Sequence, residues 1–331
     1  IEVVYSMYNS SNEIEDGVLL GRTSTPPRIP VYVKQADFLR HCLIVGTTGS
    51  GKTSLAMKLA NELKRYGASV VLDWYGEYSR VGDYIVDVGV GEPVAIPIED
   101  PLDAVFLLEE VLDLSSPQAY LLAKLLKKPK DLERVIDLIE TYEPEARWEV
   151  ETKASLMRKV SLLLKYGKVF KVVQPSEVDR LVEFSKGRLT VFNLSNLKTL
   201  ELRRLVALGV LNAVKYLKER GVFKDSVFVV VEEAHNVMAK SKFLQKYLAE
   251  VRKLGIGLIV VTQSPAGLDY EIMNNTNIKV VKALKSADDI SAISKSMNLD
   301  AKVASLINKL GYNEAVVEAP SLIEPILIEL T

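Results

Sequence analysis

Gly46, Gly49, Gly51, Lys52 and Thr53 stand at the spacing G-x-x-x-x-G-K-T inside the run HCLIVGTTGSGKTSLAMKLA. That spacing suits a loop that wraps phosphate. The glycines let the backbone bend without Cβ clashes, and amides of the turn and of the following helix start donate to phosphate oxygens. Thr47, Thr48 and Ser50 complete the loop. Lys52 supplies a mobile positive charge toward the β and γ phosphates, the Thr53 hydroxyl reaches a magnesium ion, and Ser54 is a further phosphate donor. A glycine-rich turn with a merely solvated lysine is the weaker reading, because an apolar run precedes the loop and an amphipathic one follows it. No N/T-K-x-D signature for guanine is present, so the expected ligands are ATP and Mg2+.

Three other clusters fit hydrolysis of that ligand. FVVVEEAHN (228–236) carries an apolar strand to two carboxylates. Glu232 is assigned to the metal and Glu233 to orienting, and accepting a proton from, the attacking water. An acid pair that only caps a helix is the alternative. VVTQSP ends another apolar strand at Gln263, which can sense the γ phosphate by a hydrogen bond or serve as a buried amide. EVRKLGIG offers Arg252, a guanidinium able to neutralise phosphoryl charge across a subunit boundary, with Lys253 beside it; a helix-end salt bridge is the plainer account.

The elements that must position these residues follow from periodicity. Short apolar strands at 43–45 and 68–73 flank a helix at 52–65, in which Leu55, Leu59 and Leu63 share one side and Ala56 and Ala60 permit close approach to a sheet. This strand–loop–helix–strand order begins a mostly parallel α/β sheet. Further strands are expected near 84–89, 188–195, 226–235, 255–265, 277–284 and 314–319, with helices at 200–219, 240–253, 286–296 and 301–310. Residues 1–40 read as an N-terminal arm or edge hairpin that begins in the polar stretch NSSNEIEDG. The core's first part spans 41–100, a helical insertion broken at Pro129 and Pro144 spans 101–187, and the second part of the core with C-terminal strands spans 188–331. The fold class expected is α/β, a RecA-like P-loop core with an inserted helical subdomain.

Composition narrows the functions. The 331 residues are 48% hydrophobic, and 42 Lys+Arg against 43 Asp+Glu leave a formal charge of -1. A broadly basic nucleic-acid coat is therefore not expected, whereas a local basic lining is compatible. Basic side chains in 151–190 and the trio Lys279, Lys282 and Lys285 are candidate DNA contacts, with a solvated helix face the simpler account of the first group. Cys42 is the only cysteine, which excludes an internal disulfide and a multi-cysteine zinc site. No run of 18 apolar residues occurs, so no direct membrane span and a cytoplasmic location are expected.

Taken together, RHCLIVGTTGSGKT, VVLDWYGEYS, VVVEEAHN, RKLGIG and VVTQSP resemble the HerA/FtsK group of P-loop ATPases, especially archaeal HerA-like DNA translocases. The resemblance implies a hexameric ring with nucleotide at subunit boundaries and double-stranded DNA through its centre. It implies Lys52 on phosphate, Glu233 as catalytic carboxylate, Gln263 as sensor and Arg252 as a trans-acting finger. Asp73 with Gly76, Glu77 and Tyr78 matches the group's D-x-x-G-E-Y segment, whose job is to shape the nucleotide site or transmit its state. Members of the HerA branch work with a nuclease in DNA end processing, and other relatives drive segregation, conjugation or packaging. The sequence departs from the pattern in two ways: Ser264 replaces the arginine of the group's T-Q-R-P segment, and the N-terminal segment is too short for the group's β-barrel. A motor acting on protein, of the secretion or pilus-associated kind, and a nucleotide-regulated scaffold are the competing functions.

Overall fold

The computed structural model describes residues 17–91, 93–164, 169–174, 186–238 and 242–331. The polar start of the N-terminal arm, the basic residues Lys165, Lys168 and Arg180, and the 175–185 part of the expected helical insertion lie outside the described residues.

The strands are β1 (Gly17–Thr23), β2 (Pro30–Lys34), β3 (Cys42–Val45), β4 (Gly67–Asp73), β5 (Tyr84–Asp87), β6 (Val94–Pro97) and β7 (Phe170–Val173). They continue with β8 (Leu189–Asn193), β9 (Ser226–Val231), β10 (Ile256–Thr262), β11 (Ile278–Val281), β12 (Glu314–Glu318) and β13 (Ile326–Leu330). Between them run the helices α1 (Gln35–Phe38), α2 (Lys52–Leu63), α3 (Pro101–Leu112), α4 (Ser116–Leu125), α5 (Val135–Thr141) and α6 (Arg147–Leu164). The later helices are α7 (Leu200–Glu219), α8 (Ala234–Met238), α9 (Lys242–Val251), α10 (Tyr270–Asn274), α11 (Ala287–Ser296) and α12 (Ala301–Leu306).

One eleven-stranded sheet runs in the order β2-β1-β13-β12-β11-β3-β10-β9-β4-β8-β5. From β11 to β5 all neighbours pair in parallel. From β11 back to β2 they pair antiparallel. Both faces of the parallel part are covered, and the strands alternate between two cores as a period of two requires. Leu43, Val45, Val229, Val231, Leu258 and Val260 join the core shared with α7 and the inserted helices. Cys42, Ile44, Phe228, Val230, Ile259 and Val261 face the other core, where Leu55, Ala56, Leu59, Ala60 and Leu63 of α2 meet them. The alanines let α2 lie close against the strands.

The helical stretch after residue 100 is interrupted. Asp100 caps α3 and Thr199 caps α7, each by accepting from a backbone amide of the first turn. Residues 170–173, which sequence periodicity puts inside a helical region, instead form β7 and pair in parallel with β6 as a separate two-stranded sheet. The short run Phe170-Lys171-Val172-Val173 carries β-branched residues and is too brief for its period to separate strand from helix. No helix among the described residues is long and apolar enough to cross a membrane.

Candidate nucleotide site

The ends of the central strands are level. Val45 pairs with Thr262, Val260 with Val231, and Val231 with Leu72. The residues that follow β3, β10, β9 and β4 therefore emerge along one rim of the sheet, the usual place for a ligand in a parallel α/β fold. Strands pack about 4.8 Å apart, so the loop after β3 and the acids after β9, with β10 between them, are separated by about 10 Å at the backbone. That span suits a hydrated cation and a phosphate chain.

At the end of β3 the chain turns through Gly49 (φ 77°) and Gly51 (φ 89°), left-handed values that favour glycine. A Cβ at Gly49 would meet nothing within 4 Å, so the mouth of the loop is open. Gly51 starts α2 with no side-chain cap, which leaves the first-turn amides facing that mouth. Lys52 is only 7% exposed, and burial lowers its pKa, while Glu233, Glu232 and Glu77 oppose that shift. Its ammonium donates to the Thr47 carbonyl at 2.9 Å. Thr48 Oγ1 donates to Gln263 Oε1 at 2.8 Å, tying the loop directly to the end of β10.

At the end of β9 the chain takes a tight turn in which Glu233 has φ 47°, an unusual value for a residue with a Cβ. Glu232 is 5% exposed and accepts a hydrogen bond from Tyr78 Oη at 2.5 Å. Burial pushes the Glu232 carboxyl up to about 7; the Tyr78 donor works against this, and the neighbouring Glu233 adds to it. Glu233 Oε2 lies 3.3 Å from His235 Nδ1 but makes no hydrogen bond, and His235 Nδ1 is itself 3.1 Å from Thr262 Oγ1. His235 therefore stands between the acid pair and β10.

A third wall comes from β4. Asp73 accepts from the amides of Tyr75, Gly76, Glu77 and Tyr78. This folds the segment into a turn that delivers the fully buried Tyr78 to Glu232. The link between Tyr78 and Glu232 spans 154 positions, and no local signal in either segment announces it. Trp74 is buried with Arg203 above its ring, whereas Tyr75 is exposed.

Lys52, Thr48, Gln263, Glu232 and Glu233 thus share one rim. Arg252 and Lys253 do not. They are exposed just ahead of β10, at the amino end of the strand whose carboxyl end bears Gln263. Seven extended residues put them about 23 Å from that rim. The lysine trio is corrected in part. Lys279 is buried and paired with Glu318 at 2.8 Å, and Lys282 is buried under the phosphate loop, so neither presents its charge to DNA; Lys285 is exposed. Within the basic stretch, Lys153 donates to the carbonyls of Glu140 and Tyr142, and Lys159 to that of Asp113, so these lysines of α6 tie it to the carboxyl ends of α5 and α3. Ser264 takes part in the local fold, its hydroxyl donating to Asp289.

The residues present fit a magnesium–nucleoside triphosphate. Ser50 Oγ and Glu233 Oε2 are buried without hydrogen-bond partners at the same rim, the helix start is uncapped, and a glycine cradle stands open before it. Thr53 and Glu232 would hold the cation, whose charge would favour the ionised form of Glu232. No cluster of three or more His, Cys, Asp or Glu residues suited to a metal occurs among the described residues, so a cation here would depend on phosphate and water for the rest of its shell.

Residues 15–214 match the family described as the central domain of helicase HerA. The DNA double-strand break repair helicase HerA of Sulfolobus acidocaldarius is 25% identical over 354 residues, covering 97% of this chain and 70% of that protein. Among solved structures, VirB4 of Thermoanaerobacter pseudethanolicus superposes with a TM-score of 0.72 at 17% identity, covering 96% of both chains. The plasmid coupling protein TrwB in complex with ADP and Mg2+ superposes with a TM-score of 0.65 at 15% identity, covering 98% of this chain and 91% of that one. The chain belongs to the HerA central-domain family: it is an ATP-hydrolysing P-loop enzyme of the HerA/FtsK-like superfamily, built on a RecA-like α/β core with an inserted helical region.

Proposed function

We propose that this family member is an ATP-driven motor that acts on DNA, working as an oligomer. The observation that carries the reading is the single rim on which Lys52, Gln263, Glu232 and Glu233 converge, in a chain whose HerA relative is named for DNA repair. Magnesium bound with the nucleotide supplies charge neutralisation of the phosphates. Lys52 and the amides of Gly49 to Ser54 orient the triphosphate. Thr53 and Glu232 hold the cation's side of the site, and Tyr78 fixes the Glu232 carboxylate. Glu233, with one oxygen unpartnered, orients water and receives its proton. Gln263 reports loss of the γ phosphate through the Thr48 contact. Arg252, on the opposite end of the sheet, serves the site of a neighbouring subunit in a ring, for which six subunits with duplex DNA in the centre is the arrangement we favour. A nuclease partner and DNA end processing belong to the same proposal.

A second reading is a motor acting on protein, of the secretion or pilus-associated kind, which would use the same phosphate chemistry on the same fold that VirB4 shares along 96% of each chain. ATP turnover measured without nucleic acid, with single strands and with duplex, over protein concentrations that permit assembly, separates the readings. Stimulation by duplex supports the DNA motor. Turnover indifferent to nucleic acid at every concentration removes DNA as the substrate and leaves the secretion-type reading.

A further inference from the structure

The γ-phosphate side of the loop is fixed by chemistry: Thr48 meets Gln263, and β10 and β9 bring the acids from that direction. The nucleoside must leave on the other side, toward β11 and β12, since the sheet order there is β9-β10-β3-β11-β12. On that side a tyrosine stands at the mouth. Tyr312, on the turn before β12, is 59% exposed, and its ring lies against Gly51, where a Cβ would meet ring carbons at 3.0 and 3.1 Å. Its hydroxyl is 3.3 Å from Ser54 Oγ, in the first turn of α2.

The turn that presents this ring is clamped. Gly311 and Glu314 bond to each other twice, by the Gly311 amide to Glu314 Oε2 at 2.8 Å and by the Glu314 amide to the Gly311 carbonyl at 3.1 Å. Lys282, 1% exposed, donates to the Tyr312 carbonyl at 2.6 Å, and its ammonium lies 5.5 Å from the ring centroid. The stem of Lys282 runs beneath the loop, close enough that a Cβ at Gly46 would meet its Cβ at 2.8 Å. Lys282 thus ties the phosphate loop and the Tyr312 turn into one unit. A large apolar ring held rigidly in water has a free face to offer, and the free face of a tyrosine suits a purine.

We infer that Tyr312 forms the nucleobase side of the site, its exposed face stacking on the base of the nucleotide while Lys282 holds its turn against the phosphate loop. This rests on the nucleotide reading of the same loop. Calorimetric titration of the full chain with Mg-ATP and with inorganic tripolyphosphate tests it, using Tyr312→Ala and Tyr312→Phe. Loss of one base–aromatic stack should weaken ATP about tenfold in Tyr312→Ala and leave tripolyphosphate unchanged, whereas Tyr312→Phe should stay within about twofold for both. Equal weakening of both ligands in Tyr312→Ala would mean that the ring merely props the loop, and unchanged ATP affinity would mean that it touches no base; either overturns the inference while the phosphate site stands. Wild-type protein that binds neither ligand would instead sink the nucleotide reading, and this inference with it.

Discussion

The two ends of the central strands are built on opposite terms. At the amino end, His41 is buried with φ 68°, and both ring nitrogens are engaged, Nε2 with the Leu248 carbonyl and Nδ1 with the Leu258 amide, each at 3.0 Å. At the carboxyl end, Ser50 Oγ and Glu233 Oε2 are buried without hydrogen-bond partners, and Lys52 donates only to a carbonyl of its own loop. Polar groups closed off from water normally find hydrogen bonds. The satisfied histidine is therefore architecture, and the unsatisfied groups beside the phosphate loop are kept ready for something that arrives from solution.

The contrast is challenged most by Arg252, which lies at the amino end yet is assigned to a neighbour's reaction. Arg252→Ala should lower turnover about 10³-fold with ATP affinity retained, and mixing it with Glu233→Gln protein should restore activity through hybrid sites. Absence of rescue in the mixture would return Arg252 to a plain surface role. Glu233→Gln alone should cost about 10²-fold or more in turnover and leave nucleotide binding intact; unchanged turnover would remove the water-orienting assignment.

At the other end, His41→Ala strands a buried carbonyl and a buried amide, and should cost about 3 kcal/mol in urea unfolding. Burial holds the His41 pKa down to about 4 against 6.5 for the free side chain. Between those values the unfolded chain binds a proton that the folded chain refuses, so stability falls as pH drops from about 6.5 toward 4, by roughly 3 kcal/mol in full. The alanine variant should lack this slope. The smallest effect expected is from Tyr78→Phe, about 1 kcal/mol in stability, accompanied by a rise of about tenfold in the magnesium needed for half-maximal turnover, as loss of a supporting hydrogen bond to a ligand produces. An unaltered magnesium requirement would make Tyr78 a packing residue only.

How much of this was legible beforehand depended on the range of each signal. The phosphate loop, the strands that end at Glu232 and Gln263, and the apolar side of α2 are local patterns, and each element lies within a few residues of its expected bounds. Tyr78 meeting Glu232, or Tyr312 lying over Gly51, joins segments more than a hundred positions apart, and no periodicity encodes such pairings. The lysine trio misled for a related reason. Lys279 sits in a strand whose neighbour supplies Glu318, and Lys282 follows the same strand into the space under the loop, so charge that reads as surface is spent internally. β7 escaped notice because four residues of strand carry too little period to outweigh the helical context around them.

The placement of β10 carries a mechanical consequence. It is laced by backbone ladders to β3 on one side and to β9 on the other, so the element bearing Gln263, the proposed γ-phosphate sensor, cannot slide past either neighbour without tearing several bonds at once. Any stroke powered at this rim must leave the sheet as a stiff plate, turning as a block against the next protomer or bending only the segments beyond the strand tips. In the proposed oligomeric motor, force would then travel through the tilt of whole subunits.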